Sequence, residues 1–188
     1  MIPLALLLAL AVATQAEVTT TARVKETAYA RVALAQKLAR DPALRKAIAA
    51  SNAKGEPLDL IRRRDVVWVA NPRDPLRQAV VQAPCSERLR ELVKDDALVV
   101  EAFAMNALGA LVCSVAETSD YWQGDEPKWQ RTFVEGKEAV VEEPAFDASS
   151  GTYAIQVSVP TLDEGRRTGA LTLTLKLQRT PRPPSPRP

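Results

Sequence analysis

The sequence predicts an α+β domain in which helices lead and a five-stranded antiparallel sheet follows. Apolar residues recur at helical spacing as far as Lys94, and after Asp96 the spacing changes to the alternation of strands. Turn-forming residues fall between the alternating runs, so consecutive strands can pair as hairpins. Once an N-terminal leader is set aside, about 170 residues remain, enough for one domain with a proper core.

From Thr20 to Arg40 the chain is rich in Ala, Leu, Lys, Arg and Gln, all good helix formers. Val24, Ala28, Val32, Ala35 and Leu38 form one apolar stripe, which predicts a long leading helix. Asp41 then reads as an N-cap and Pro42 as the first position of a second helix, Ala43 to Ala53, stopped near Gly55. Pro57 to Pro84 is ambiguous. Asp59 can cap a helix through Arg64, whereas Val66 to Val69 suits a short strand, and Pro72 and Pro75 end either one. Ser86 to Lys94 is a further helix, with Leu89, Leu92 and Val93 on one face.

Strands are predicted at Ala97–Met105, Ala110–Ala116, Glu138–Glu142, Thr152–Pro160 and Thr168–Gln178. Asn106 to Gly109 supplies the first turn, and Asp163, Glu164 and Gly165 supply the last. In the final strand Leu171, Leu173, Leu175 and Leu177 point one way, while Ala170, Thr172, Thr174 and Lys176 point the other. The strand before it sets Ile155, Val157 and Val159 against Gln156 and Ser158. The sheet therefore has an oily face for helices to cover and a face of Thr, Ser and Gln. An insert, TSDYWQGDEPKWQRTF from Thr118 to Phe133, separates the second and third strands. Asp125 can cap a short helix there, from about Glu126 to Val134, which Gly136 ends.

Residues 1–16, MIPLALLLALAVATQA, carry no charged side chain and include an unbroken apolar run from Leu4 to Ala13. That run is shorter than the about 20 residues that span a bilayer. It suits a secretory leader cleaved after Ala16, or after Ala13, and predicts a periplasmic or secreted product. In such an oxidising compartment Cys85 and Cys113, the two cysteines of the chain, are expected to pair as a disulfide. Residues 17–178 then form the domain, and residues 179–188, RTPRPPSPRP, a disordered tail. A net charge of +2 with both signs interspersed argues against nucleic acid. The absence of His removes the usual base of Ser and Cys hydrolases and the commonest transition-metal ligand. No cofactor, no metal and no enzymatic activity are expected.

Helices first, then antiparallel strands with an insert between the second and third, is a PAS-like order of elements. The stretches EAFAMNALGALVCSVAETSDYWQGDEPKWQRTF and FDASSGTYAIQVSVPTLDEGRRTGALTLTLKL resemble the extracytoplasmic Cache (PDC) sensor domains. TSDYWQGDE, QVSVP and GALTL are the specific motifs, and the resemblance covers about half of the chain. Asn106 stands where such domains commonly carry Asp. The resemblance implies a small-metabolite pocket between sheet and insert, for an organic acid, amino acid or amine. Members are mostly fused to a membrane helix and a kinase, cyclase or chemotaxis module. Here a proline-rich stretch follows the sheet, so a stand-alone domain working through a membrane-bound signalling partner is expected.

Within that reading Tyr121, Trp122 and Trp129 are candidate pocket walls, because ligand pockets combine apolar walls with a few placed polar groups. Asp120, Asp125 and Arg131 are candidates to fix a charged ligand group, and Gln156, Ser158 and Thr172 to form a polar floor. The plainer reading makes the aromatics the core of the insert. It belongs to an alternative function, an exported interaction or scaffold protein that keeps the fold without a pocket.

Overall fold

The computed structural model describes residues 22–147 and 150–177. The leader, residues 1–16, and the tail, residues 179–188, lie outside them. Six helices precede the sheet: α1 over residues 22–29, α2 (Val32–Ala39), α3 (Pro42–Ala53), α4 (Leu58–Ala70), α5 (Pro75–Val81) and α6 (Pro84–Val93).

The expected single leading helix is broken at Ala30 and Arg31. The Arg31 N–H tightens onto the Ala28 carbonyl at 2.9 Å, and its guanidinium reaches Asp96 at 3.0 Å. No Gly or Pro marks the break; the Arg31–Asp96 ion pair ties it to the start of the sheet. Asp41 caps α3 as expected, accepting from the Ala43 N–H at 2.9 Å with Pro42 in the first turn. Asp74 and Pro75 repeat that pattern to start α5, which the sequence reading did not assign.

The alternative of a strand at Val66–Val69 is corrected: α4 runs through it. Ile61 and Trp68 lie seven residues apart on one face and are fully buried, whereas Val66, Val67 and Val69 are exposed. The β propensity of the valines yields to that helical stripe and to the Trp68 indole, which donates to the Thr118 carbonyl at 3.0 Å. Asp59 sits inside the first turn of α4 rather than capping it, and pairs with Arg63 at 2.6 Å.

The sheet has six strands, one more than expected: β1 (Val99–Asn106), β2 (Leu111–Ser114), β3 (Val140–Val141), β4 (Ala145–Asp147), β5 (Thr152–Asp163) and β6 (Arg166–Lys176). All pairings are antiparallel, in the order β2-β1-β6-β5-β3, with β4 also pairing β5. Pro144 cannot donate to the ladder, so the edge beside the long β5 is split into two short strands. Glu164 and Gly165, both at positive φ, close the β5–β6 hairpin as a primed two-residue turn.

Leu171, Leu173, Leu175, Ile155 and Val157 meet Ala28, Ala35, Leu38 and Leu44 of the leading helices, with Leu89 and Val93 of α6. This is the oily face the alternation predicted. A disulfide joins Cys85 of α6 to Cys113 of β2, 28 residues apart in sequence. Among the described residues no helix is long and apolar enough to cross a membrane.

Candidate ligand-binding face of the sheet

The opposite face is built from two cross-strand rows. Glu101 of β1 lies opposite Thr174 of β6, which lies opposite Gln156 of β5; one step along, Phe103, Thr172 and Ser158 do the same. The Thr174 hydroxyl donates to Glu101 Oε2 at 2.9 Å and receives Gln156 Nε2 at 3.3 Å. Ser158 Oγ and Thr172 Oγ1 share a bond of 2.8 Å. Past β5 the edge strand sets Val140 opposite Ser158, and the Glu142 N–H bonds the Gln156 carbonyl. An antiparallel face of this composition ordinarily meets water. Here Glu101, Ser158, Thr172 and Thr174 are buried, and the insert packs on the β5 and β6 part of the face.

The roof is a short helix α7 (Pro127–Trp129) that widens into a π-helical turn, Gln130–Val134, and packs on β5 and β6. Glu126, in extended backbone, occupies the cap position without a side-chain bond, so the expectation that Asp125 caps this helix is corrected. Gly136, at φ 78°, follows the turn as expected. Gly109 and Gly124 let the insert lie on the β1–β2 turn: a Cβ on Gly109 would stand 2.3 Å from the Gly124 Cα. Asp65 of α4 holds the other side, its Oδ1 accepting from the N–H groups of Tyr121 and Trp122 at 2.8 and 3.0 Å.

The candidate walls have distinct surroundings. Tyr121 is buried against Trp68, ring centroids 5.7 Å apart, and burial pushes its phenol up from the ordinary range. Trp122 is half-buried, donates to the Leu108 carbonyl at 2.8 Å and lies under the Arg62 guanidinium, 4.4 Å from its ring. Trp129 is buried, donates to the Asn106 carbonyl at 3.2 Å and stacks on Phe133 at 4.9 Å. It shares one buried cluster with Phe103, Ala170 and Tyr121, against which Trp122 also packs, while the backbone N–H groups of Tyr121 and Trp122 are held by Asp65 of α4. Asp120 is half-buried and accepts from the Ser119 hydroxyl at 2.7 Å; Asp125 and Arg131 are exposed.

Besides Glu101, two charged residues at this face escaped the sequence reading. Lys128 runs inward, its side chain 11% exposed, with its ammonium 5.7 Å from the Phe103 ring centroid and 4.0 Å from Glu126. Glu142 directly follows β3, and its buried Oε1 has no hydrogen-bond partner among the described residues. Burial pushes the Glu142 carboxyl above the ordinary range; Lys128 pulls it back, Glu126 pushes it up and Arg131 pulls it back. Neither residue carries a sequence signal, because the register that brings β3 beside Gln156 is set by the tertiary fold.

No family model matches the sequence, and no curated protein matches it. Among solved structures, the extracellular domain of the histidine kinase candidate vpHK1S-Z8 is similar at a TM-score of 0.51 and 6% identity, over 85% of this chain and 54% of that one. The sensor domain of the V. cholerae histidine kinase DctB matches at 0.48 and 10% identity, over 91% of this chain and 56% of that one. The ligand-binding domain of the Campylobacter jejuni chemoreceptor Tlp3, in complex with 4-methylisoleucine, matches at 0.43 and 10%, over 85% and 62%. The chain thus spans less than two thirds of these structures. At 6% identity the likeness to the vpHK1S-Z8 domain is one of fold alone, a PAS-like α+β architecture.

Proposed function

We propose that this chain is an exported, non-enzymatic sensor domain that binds a small metabolite, an organic acid, amino acid or amine, between the polar face of the sheet and the insert. The observation that carries this reading is the burial of Glu101, Ser158, Thr172 and Thr174 beneath an insert that brings its own inward-pointing Lys128. A fold selected only for stability gains little from burying such a face, since apolar residues of equal volume are at least as stabilising. Ligand contacts fall to the floor residues Gln156, Ser158 and Thr172, to Lys128 and to the Trp129 wall. Tyr121 and Trp122 shape the insert through their contacts with α4, and Asp120, Asp125 and Arg131 form the rim. The leader and the single cysteine pair support export, and a membrane-bound partner would read occupancy.

A second reading is a scaffold that keeps the fold without a ligand. It is favoured by the way the floor residues bond one another and by the indoles of Trp122 and Trp129, which are used on backbone carbonyls. Thermal-shift screening of the chain from Glu17 onward against organic acids, amino acids and amines separates the two, because a bound ligand raises the melting temperature by mass action. The double variant Ser158→Ala with Thr172→Val is expected to melt near the parent, since both partners of one bond become apolar together. It should nevertheless lose the ligand response. A parent chain that responds to no member of the three classes supports the scaffold.

A further inference from the structure

The outer face of α4 carries residues that a solvent-facing helix does not ordinarily present. Val66 is 68% and Val69 55% exposed, with Val67 and Ala70 exposed beside them. β-Branched side chains lose rotamer freedom in a helix, and surface positions are ordinarily filled by better helix formers. The helix is held by its other side, where Ile61 and Trp68 are buried, so its packing does not account for the valines. Arg62, Val66 and Val69 follow one another in a four-residue and then a three-residue step, the spacing of a seam between packed helices. Arg62 and Arg63 stand at one end of the apolar patch, and Arg73 lies just past the end of α4; all three are exposed. Arg63 pairs with Asp59 of the same helix, but Arg62 and Arg73 enter no ion pair among the described residues. The nearby carboxylates are committed elsewhere: Glu56 to Arg64, Glu117 to Arg77 and Asp65 to the insert backbone. An exposed apolar patch with such a rim marks an interaction surface.

We infer that this face docks an acidic amphipathic helix of another protein, with apolar side chains on Val66 and Val69 and flanking Asp or Glu on Arg62, Arg63 and Arg73. Charge decides between the occupants. In a symmetric pair of copies of this chain, an antiparallel seam centred between Val66 and Val69 sets Arg62 against Arg73. A parallel seam sets Arg62 against itself, and like charges across an interface are penalised. Helices that lie on a lipid surface bring Trp, Phe or Leu to their apolar side, whereas this patch offers only Val and Ala. An apolar helix edged with carboxylates satisfies both parts of the patch. None of these residues belongs to the polar face of the sheet, so the inference stands whether or not that face binds a metabolite. The surface is also joined to the insert. The Arg62 guanidinium lies 4.4 Å from the Trp122 ring, and Asp65 holds the Tyr121 and Trp122 N–H groups. A helix seated on α4 therefore touches the element that positions the insert.

The photo-reactive residue p-benzoylphenylalanine, placed at Val66 or Val69 of the full chain in its native host, tests this directly. It is expected to cross-link one other protein, through a segment with apolar residues at helical spacing flanked by Asp and Glu. The same probe at Lys46, exposed on α3, should not give that product. A synthetic peptide of the captured segment should bind the purified chain, and more weakly as salt rises, because the charges are exposed. Val66→Glu with Val69→Glu should weaken that binding at least about tenfold while circular dichroism shows the fold retained. Arg63→Glu with Arg73→Glu leaves the Arg62–Trp122 contact in place and should weaken it by a similar factor. A peptide with its Asp and Glu replaced by Lys should restore binding to that arginine variant. Because both arginines lie outside the buried stripe, the charge exchange decides the matter even where the valine variant loses its fold. Cross-links to a second copy of this chain, to lipid alone, to a segment without acidic residues, or to nothing overturn the inference. So does a captured peptide that binds the arginine variant as tightly as the parent.

Discussion

Asp65 shows how much a single side chain can carry. One carboxylate oxygen accepts two consecutive backbone N–H groups, those of Tyr121 and Trp122, and so fixes where the insert leaves the hairpin. Asp65→Ala leaves both donors without that partner, and is expected to cost about 1–3 kcal/mol, read as a lower denaturant midpoint at unchanged slope. In the sequence Asp65 follows three arginines and reads as helix surface; its partners lie 56 and 57 positions later. The two tryptophans nearby make a sharper contrast. Trp68 is fully buried, so Trp68→Ala should cost about 3–5 kcal/mol. Trp122 is half-buried, and its truncation should cost clearly less. Equal losses in the two variants would show that the insert depends on Trp122 as core.

At the scale of elements, α4 and the disulfide test how local and tertiary forces divide. Val66 and Val69 are exposed on a helix, so Val66→Glu with Val69→Glu should change stability by no more than about 0.5 kcal/mol per site. Each substitution would be more disruptive in a strand facing a core. Far-ultraviolet circular dichroism should show helix content retained. Replacing Cys85 and Cys113 together by Ser removes the constraint on a 28-residue separation and should cost about 3–4 kcal/mol in the chain-entropy account. Reduction of the parent protein should give a loss of similar size. The cysteine pairing was legible from two residues and a leader. The strand-like run of valines misled because β propensity is weak against a buried Ile61–Trp68 stripe.

For the molecule as a whole, the Arg31–Asp96 pair holds the break between α1 and α2 against the start of the sheet. Burial pulls the Asp96 carboxyl up, but Arg31 and the Leu98 N–H more than offset it and leave it below the ordinary range. A depressed carboxyl contributes stability that is complete above its unfolded value and is lost as the pH falls through the folded one. Acidification below about pH 4 should therefore loosen α1 before the sheet, and Asp96→Asn should do the same at neutral pH. Amide hydrogen exchange resolved along the chain checks this: protection in residues 22–29 should fall while that of β5 and β6 holds. Loss at the same rate in both regions would show that the helices and sheet open as one unit.

The alternation of leucines in residues 171–177, the capping pair Asp41 and Pro42, and the turn at Glu164 and Gly165 were readable because each is a local rule with a fixed period or a fixed backbone demand. They determined the helices-then-sheet order, the oily face and the existence of a polar one. The sequence also located the insert by its aromatic residues. It could not say which side of the insert meets the polar face, because that depends on Gly109 approaching Gly124 and on Asp65 reaching across from α4. Nor could it bring Glu142 near Lys128, since fourteen residues separate them and the pairing of β3 with β5 sets where Glu142 lies. Local periodicity sets what each element presents; only the packing of one element on another decides which buried charges face each other, because that depends on distances the chain's order does not contain.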